Sequence, residues 1–191
     1  MALGPAFDDV LAAARTGAAW ALQRLYEDLA GTVTGYLRLR GAADADDVAS
    51  EAFLSIFRSL HTFEGDEAAF RSWVFTIVHH RLIDARRRAD RRPRTEPVDE
   101  VGEIASGDVE REALDRLGGS WVQEVLSTLS AEQREVLLLR IVADLSVEEV
   151  ADIVGKRPGA VRALQYRGIQ SLRRHLDQRG LLRARPGMGD G

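Results

Sequence analysis

A segment rich in proline and acidic residues divides this sequence into two parts, and this division limits the possible folds more than any other feature. Pro93 and Pro97 open the segment, and a proline inside a helix removes a hydrogen bond and clashes with the preceding turn. Between Glu96 and Asp115 the chain has eight acidic residues and one arginine. We therefore expect two folded parts joined by an acidic, flexible linker over residues 94–119.

Both parts have the apolar periodicity of helices. From Phe7 to about Leu39, from Asp44 to Leu60 and from Asp66 to about Arg92, apolar residues recur at helical spacing. Beyond the linker, Ser130 and Ser146 each begin a capping-box pattern ahead of an apolar run. No alternating, strand-like run is bounded by turn residues. The sequence therefore predicts an all-α fold.

Composition is consistent with two small helical domains. The chain has 191 residues, 45% of them hydrophobic, which favours packed cores over general disorder. It has no cysteine, which excludes disulfides and thiolate metal sites. Neither a signal peptide nor a run of about 18 apolar residues is found, so we expect a soluble, cytoplasmic protein without a membrane span. The predicted domains are residues 1–93 and 120–179, followed by a mobile tail, residues 180–191.

Positive charge is concentrated in one short stretch. The formal net charge is -4, yet residues 78–94 hold seven arginines and two aspartates. Phe70, Trp73 and Ile77 precede this stretch at helical spacing. Aromatic side chains beside arginines are typical of single-stranded nucleic-acid sites, but the same spacing is typical of a helix packed in a core. Both interpretations of the aromatic residues remain open.

The second part contains a helix, a four-residue turn and a second helix, which is the layout of a helix-turn-helix. From Ile153 to Leu176 there are six basic residues and no acidic one. At about 100° per residue the second helix separates into an apolar side and a polar, cationic side. The polar side comprises Arg162, Ala163, Tyr166, Arg167, Gln170, Arg173 and Arg174. We expect the polar side to bind DNA. Gln165, at the edge of the apolar side, is expected to have a packing or linking role rather than to read bases. A helical hairpin with a solvated basic face is the alternative.

The motifs together resemble a known family, the extracytoplasmic-function (ECF) sigma factors of bacterial RNA polymerase. "DADDVASEAF", the aromatic stretch from Phe63 to Trp73 and "LIDARRR" are similar to the first domain of that family. "LSAEQREVLLLR" and "LSVEEVADIVGKRPGAVRALQYRGIQSLRRHL" are similar to its second domain. The resemblance extends from about Phe7 to Leu176. The chain departs from the usual family residues at Ser50, His80 and residues 163–165.

The resemblance implies a role in starting transcription, without cofactor or metal. The first domain would bind core RNA polymerase and capture unpaired bases of the minus-ten promoter element. The second domain would read the minus-thirty-five element as duplex DNA, and an anti-sigma protein would mask these faces. The residues implied for polymerase binding are Asp47, Val48, Ser50, Glu51 and Phe53. Those implied for the minus-ten element are Trp73, His80, Asp84, Arg86, Arg87 and Arg88, with the loop Leu60–Asp66 as a base pocket. Those implied for the minus-thirty-five element are Lys156, Arg157, Arg162, Ala163, Tyr166 and Arg167.

Three other functions each fit part of the sequence. His80 and Asp84, four positions apart on one helix, are the strongest pair for metal binding or proton transfer, but the adjacent His79 points about 100° away from His80. A stand-alone helix-turn-helix regulator would normally carry a sensing domain, which this sequence lacks. A module that binds only proteins would have basic faces without a nucleic-acid role. We therefore expect no enzymatic activity.

Overall fold

The structure is a computed structural model that describes residues 3–91 and 121–180. Every regular element within these two ranges is a helix, which confirms the predicted all-α fold. The predicted linker, residues 94–119, and residues 181–191 of the predicted tail lie outside the described residues.

The helices fall into two groups, one on each side of the predicted linker. The first group is α1 (Phe7–Arg15), α2 (Ala19–Leu39), α3 (Ala45–Ser59) and α4 (Glu67–Arg91). The second group is α5 (helical over the described residues 121–127), α6 (Ala131–Ile141), α7 (Val147–Val154) and α8 (Pro158–Gln178). Two short 3-10 turns, Gly4–Ala6 and Leu60–Thr62, complete the first group.

Local sequence signals set the helix boundaries. The Asp44 carboxylate accepts a hydrogen bond of 2.9 Å from the backbone N–H of Asp47 and so caps α3. Ser130 and Ser146 form the two predicted capping boxes at the starts of α6 and α7. Gly155 ends α7 in the left-handed conformation, with φ of 64°. Because these signals act over three or four residues, they could be identified in the sequence.

The core of the first group lies between α2, α3 and α4. The buried ring of Tyr36 on α2 meets the ring of Phe75 on α4 edge to face, with centroids 5.5 Å apart. Ile56 of α3 is also fully buried. The packing of α3 on α4 brings the helix predicted to bind polymerase beside the arginine-rich helix.

In the second group, α8 packs on α6 and α7 through the apolar side that the periodicity predicts. Val161, Leu164 and Gly168 are buried there. A Cβ atom added to Gly168 would lie 2.7 Å from Cδ1 of Leu137 on α6. Glycine at this position thus allows α6 and α8 to approach closely, while the opposite side of α8 faces solvent.

The two groups also contact each other, a feature that no local sequence pattern predicts. Helix α2 packs against α6 and helix α4 against α7, and buried residues of both groups form one continuous cluster. The side-chain amide of Gln123 donates a hydrogen bond of 3.0 Å to the carbonyl of Arg38 at the end of α2. The described residues therefore form one body in this structure.

Candidate nucleic-acid interface

The arginines of α4 divide into exposed and inward-facing side chains. Arg87 and Arg88 are exposed, near the C-terminal end of the helix. Arg86 is only half-exposed, and its guanidinium donates a hydrogen bond to the backbone carbonyl of Arg40. Burial, and then the nearby Arg40 charge, lower the pKa of Arg86 below its ordinary value. Arg86 therefore supports the end of α2, whereas the side chains of Arg87 and Arg88 are accessible to solvent.

Arg88 joins the two surfaces that the sequence implied for polymerase and for the minus-ten element. Its guanidinium donates to both carboxylate oxygens of Glu51 on α3, at 2.9 and 2.7 Å. The hydrogen bond from Arg88 lowers the pKa of Glu51. The pair is bidentate, the strongest geometry for an arginine and a carboxylate. The two implied surfaces are thus adjacent and share this ion pair.

A groove between α3 and α4 lies next to this ion pair. His80, Arg81 and Asp84 of α4 face Ser55 of α3 across it, and Arg81 Nε donates to the Ser55 hydroxyl at 3.1 Å. The groove has a volume of about 460 Å³. His80 and Asp84 are exposed in it. The groove is lined by both hydrogen-bond donors and hydrogen-bond acceptors, so it can hold a polar group.

The aromatic residues of α4 and the preceding loop form one cluster. The ring centroids of Phe63 and Trp73 are 5.3 Å apart, and those of Phe63 and Phe70 are 5.2 Å apart. Phe63 and Phe70 are buried, and Trp73 is half-buried. The side chain of Arg15 donates to the carbonyl of Phe63 and fixes the loop. Trp73 is therefore packed against the core and is also partly exposed to solvent.

The implied polymerase-binding residues do not all lie on the surface of α3. Asp47 and Ser50 are exposed, but Val48 and Phe53 are each only 5% exposed. Val48 and Phe53 thus support the helix from inside and present no side-chain surface to a partner in this structure. The sequence reasoning missed Leu54, which is 56% exposed next to Phe53.

Leu54 is accompanied by a second exposed apolar residue. Tyr26 of α2 is 48% exposed, and its ring lies 4.7 Å from that of Phe53. One feature of the sequence favours the exposure of Leu54. Leu54 lies four positions after Ser50, so both residues are on the same side of α3. An apolar centre with an acidic margin is the usual anatomy of a protein-binding surface.

The polar side of α8 is exposed as predicted from its periodicity. Tyr166 is 65% exposed, and Arg162, Ala163 and Arg167 are also exposed. Arg162 pairs with Glu148 of α7 at 2.7 Å. Because α7 is the first helix of the helix-turn-helix, this pair fixes the guanidinium at the junction of the two helices.

The turn before α8 carries the remaining two cations. Lys156 pairs with Glu132 of α6 at 2.6 Å, and the hydrogen bond from Lys156 lowers the pKa of Glu132. Arg157 is the exposed residue immediately before α8. Gln165, by contrast, is half-buried and accepts a hydrogen bond of 3.4 Å from Arg140, as its position at the edge of the apolar side indicates.

Membrane-spanning helices and clusters of metal ligands are both absent from residues 3–91 and 121–180. No helix there is long and apolar enough to cross a membrane. No group of three or more potential metal ligands occurs there; the rings of His79 and His80 lie 6.0 Å apart at 56° to each other.

Two protein-family models match this chain, one for each helical group. The model of Sigma-70 region 2 matches residues 22–92, and that of Sigma-70 region 4 matches residues 120–172. The first match covers α2 to α4, and the second covers the helix-turn-helix. The two matches are separated by residues 93–119, which include the predicted linker.

Relatives of known function match most of the chain. The ECF RNA polymerase sigma factor SigD of Mycobacterium tuberculosis is 35% identical over 178 residues, which is 89% of this chain and 84% of SigD. The ECF RNA polymerase sigma factor BldN of Streptomyces coelicolor is 34% identical over 170 residues, 85% of this chain and 63% of BldN.

A solved structure of CnrH in complex with the cytosolic domain of CnrY has a similar fold. It aligns with a TM-score of 0.66 and 25% identity, covering 91% of this chain and 98% of that one. The fold, the order of the two matched regions and the relatives agree. The chain belongs to the ECF RNA polymerase sigma factors.

Proposed function

We propose that this protein binds core RNA polymerase and directs it to promoters, with the first helical group acting at the minus-ten element and the second at the minus-thirty-five element. The observation that carries this proposal is that one chain combines the helix-turn-helix, with its solvent-facing cationic side on α8, and the arginine-rich helix α4 in the family's order. Neither element alone distinguishes a sigma factor from another DNA-binding protein.

The second group is suited to duplex DNA. An α-helix fits the major groove, where arginine can form two hydrogen bonds with guanine. Arg162 and Tyr166 are four residues apart and lie on the same exposed side of α8, and Arg167 extends that side. We assign base reading to these three residues and phosphate contact mainly to Lys156 and Arg157, which lie in the turn.

The first group is suited to single-stranded DNA. Trp73 offers a half-exposed aromatic surface, and the groove between α3 and α4 contains His80 and Asp84. Stacking on an aromatic side chain holds any base, while arginines hold the phosphates. We assign Arg87 and Arg88 to the phosphates near the point of strand opening and treat Arg86 as a structural residue.

The polymerase-binding surface is assigned to the exposed side of α3. Asp47, Ser50 and Glu51 provide polar contacts, and Leu54 with Tyr26 provides an apolar centre. Acidic groups on this surface complement a basic partner and speed its association.

A regulatory partner is also proposed. The similar CnrH structure contains the cytosolic domain of a second protein, CnrY. We propose that an anti-sigma protein binds this chain in a comparable way and masks the same faces. We also propose that the protein acts in the cytoplasm, where promoter DNA is found, and that it has no catalytic activity of its own. A stand-alone helix-turn-helix regulator is the alternative function.

Promoter-specific transcription with purified core polymerase tests the proposal. A library of promoter fragments is transcribed with and without the protein, and permanganate reactivity of thymines detects strand opening. We expect transcripts and opened DNA only when protein and polymerase are both present. Binding of the protein alone to a specific duplex, without effect on purified core polymerase, would instead favour the stand-alone regulator.

A further inference from the structure

Helix α1 lies outside the match to Sigma-70 region 2, which begins at residue 22, yet it contacts the loop between α3 and α4. This loop is Leu60–Asp66. The guanidinium of Arg15, the last residue of α1, donates a hydrogen bond to the backbone carbonyl of Phe63 in the loop. Helix α1 also packs against the turn Leu60–Thr62. The first half of the loop is therefore held by a helix that the family match does not include.

The end of the loop is held by a second set of contacts. Asp66 Oδ1 accepts a hydrogen bond of 2.8 Å from the backbone N–H of Ala69 and so caps α4. Glu67, the first residue of α4, accepts hydrogen bonds from the backbone N–H groups of Leu3 and Gly4, at 2.5 and 2.9 Å. The segment ahead of α2 thus supports the loop at its start, its middle and its end.

Phe63 connects Arg15 to the aromatic cluster. The Phe63 ring lies 5.3 Å from the ring of Trp73 and 5.2 Å from that of Phe70, and Phe70 in turn lies 5.5 Å from Phe7 of α1. Closely packed side chains transmit a displacement to their neighbours. Because Arg15 holds the carbonyl of Phe63, it also sets the position of the Phe63 ring against Trp73.

Gly65 shows how little freedom the loop has. Its φ is 144°, and a Cβ atom added there would lie 2.9 Å from Cβ of Ala69 and 3.1 Å from Cζ of Phe63. The loop is therefore packed directly on Phe63. Its polar side chains on either side of Phe63 are exposed: His61, Thr62, Glu64 and Asp66.

We propose that Arg15 is a positioning residue for the capture of one unpaired base. Arg15 holds Phe63, and with it the loop Leu60–Asp66, where a base stacked on Trp73 meets the polar groups of the loop. A charged donor suits this task, because its hydrogen bond to a carbonyl is stronger than one from a neutral group. Arg15 itself does not contact the base. This inference rests on the proposed function, because the base is one of the minus-ten element.

A cycle of changes in the protein and in the DNA tests the inference. Holoenzyme binding is measured on forked promoter DNA, with a promoter identified by the transcription library, and an abasic site is placed at each unpaired minus-ten position in turn. The wild type should lose about 5- to 100-fold in affinity at the position of the captured base. In Arg15→Ala the same abasic site should cost about threefold or less, because the base has already lost its contacts with the loop.

Three further variants make the result specific. Arg24→Ala removes an exposed arginine from the adjacent helix α2 and should give the wild-type abasic profile. Arg15→Lys keeps a cationic donor and should recover most of the loss at the captured base. Gly65→Ala displaces the loop through its contacts with Phe63 and Ala69, so it should reproduce the profile of Arg15→Ala.

The abasic profile separates positioning from stability. A purely structural role of Arg15 would lower the melting temperature, measured by circular dichroism, and leave the abasic profile of the folded holoenzyme as in the wild type. That profile in Arg15→Ala, or in Gly65→Ala if Arg15→Ala does not fold, would overturn the inference while the proposed function stands. If the wild type gives no promoter-specific transcription, the proposed function fails and the inference fails with it.

Discussion

Arg86 and Arg87 are adjacent in the sequence and have different environments. Arg86 is half-buried and donates to the carbonyl of Arg40, whereas Arg87 is exposed. Successive side chains on a helix point about 100° apart, so one of the two faces the molecule and the other faces solvent. A run of arginines therefore overstates the number of cations available to DNA.

Replacement of each arginine by alanine should separate the two roles. Arg86→Ala should lower the free energy of unfolding by about 1–3 kcal/mol, because the carbonyl of Arg40 loses a charged donor. Arg87→Ala should leave the melting temperature unchanged and reduce strand opening, measured by permanganate reactivity. The opposite result, with Arg87→Ala destabilising and Arg86→Ala not, would contradict the assignment of these side chains.

Gly168→Ala tests the close approach of α6 and α8. The added methyl group would lie 2.7 Å from Leu137 Cδ1, and Leu137 is buried. We expect a loss of about 1–3 kcal/mol in the free energy of unfolding, measured by urea denaturation. Gly159→Ala is the matched control in the same helix: nothing lies within 4 Å of its added Cβ, so alanine should be neutral or stabilising by up to about 1 kcal/mol.

A double-mutant cycle adds a second check on the same contact. Leu137→Ala removes the atoms that the new methyl group would meet, at the cost of a cavity. The cost of Gly168→Ala should therefore be smaller in the Leu137→Ala background. Equal costs in both backgrounds would show that the helices do not meet at Gly168.

At the scale of single elements, α8 and its preceding turn present cations that are already paired within the protein. Arg162 pairs with Glu148, and Lys156 pairs with Glu132. Exposed pairs of this kind contribute little to stability. If Arg162 and Lys156 bind DNA as proposed, each paired acid competes with the promoter for its cation.

Single substitutions around α8 should separate base reading from phosphate contact. Arg162→Ala should relax preference at one or two base pairs, with a loss of about 1–3 kcal/mol of discrimination. Lys156→Ala should weaken binding to all sequences and reduce the salt slope by about one, while Lys156→Arg should retain the slope. Binding of the holoenzyme to single-base promoter variants at several salt concentrations measures both. Uniform loss of affinity in Arg162→Ala, with base preference retained, would make Arg162 a phosphate contact.

The boundaries of these elements could be predicted from the sequence, and so could the main buried side of α3, but which of Phe53 and Leu54 faces the core could not. Ser146 and Gly155 delimit α7 through contacts within one turn, which a reader of the sequence can recognise. The burial of Phe53 and the exposure of Leu54 depend on how α3 packs against α2 and α4. Both residues are apolar and adjacent, so periodicity alone does not decide which one faces inward.

At the scale of the whole molecule, the interdomain contact makes stability depend on pH. Burial lowers the pKa of His79, and the charges of Arg40, His80 and Arg86 act in the same direction, while Glu135 opposes them. The unfolded chain, with a histidine pKa near its ordinary value of about 6.5, then binds a proton more readily than the folded chain. The neutral His79 therefore contributes to stability above the ordinary histidine pKa. This contribution is lost as the pH falls from the ordinary histidine pKa toward the lowered pKa of the folded state.

His79→Gln should flatten this dependence. We expect the melting temperature of the wild type to fall between pH 7.5 and pH 5.5 by more than that of the variant, because glutamine does not titrate in this range. The buffer series is measured by differential scanning fluorimetry at constant ionic strength. Parallel curves for the two proteins would show that His79 is not the group responsible.

The contact between the two helical groups could not be predicted from the sequence, and the reason is physical. Arg40 and Glu135 form an ion pair across this contact although they are 95 residues apart, and each belongs to a segment whose helical pattern is complete without the other. Charged residues are ordinarily expected on the surface, so neither residue indicates its burial. The helix-turn-helix and the arginine-rich stretch could be predicted because the residues that identify each of them lie in one short, contiguous segment.

The ion pair of Glu51 with Arg88 has a consequence for the order of events in transcription. While both oxygens of the Glu51 carboxylate accept hydrogen bonds from Arg88, Glu51 cannot bind a basic polymerase group with full strength. In the same way, the Arg88 guanidinium cannot bind a phosphate with full strength while it is bound to Glu51. If polymerase engages Glu51, Arg88 is released toward the DNA; if DNA engages Arg88, Glu51 is released toward the polymerase. Thermodynamic linkage requires the two effects to be equal in size. Under the proposed roles of Glu51 and Arg88, we therefore expect polymerase binding and promoter binding to be positively cooperative, so that each macromolecule raises the affinity of the protein for the other.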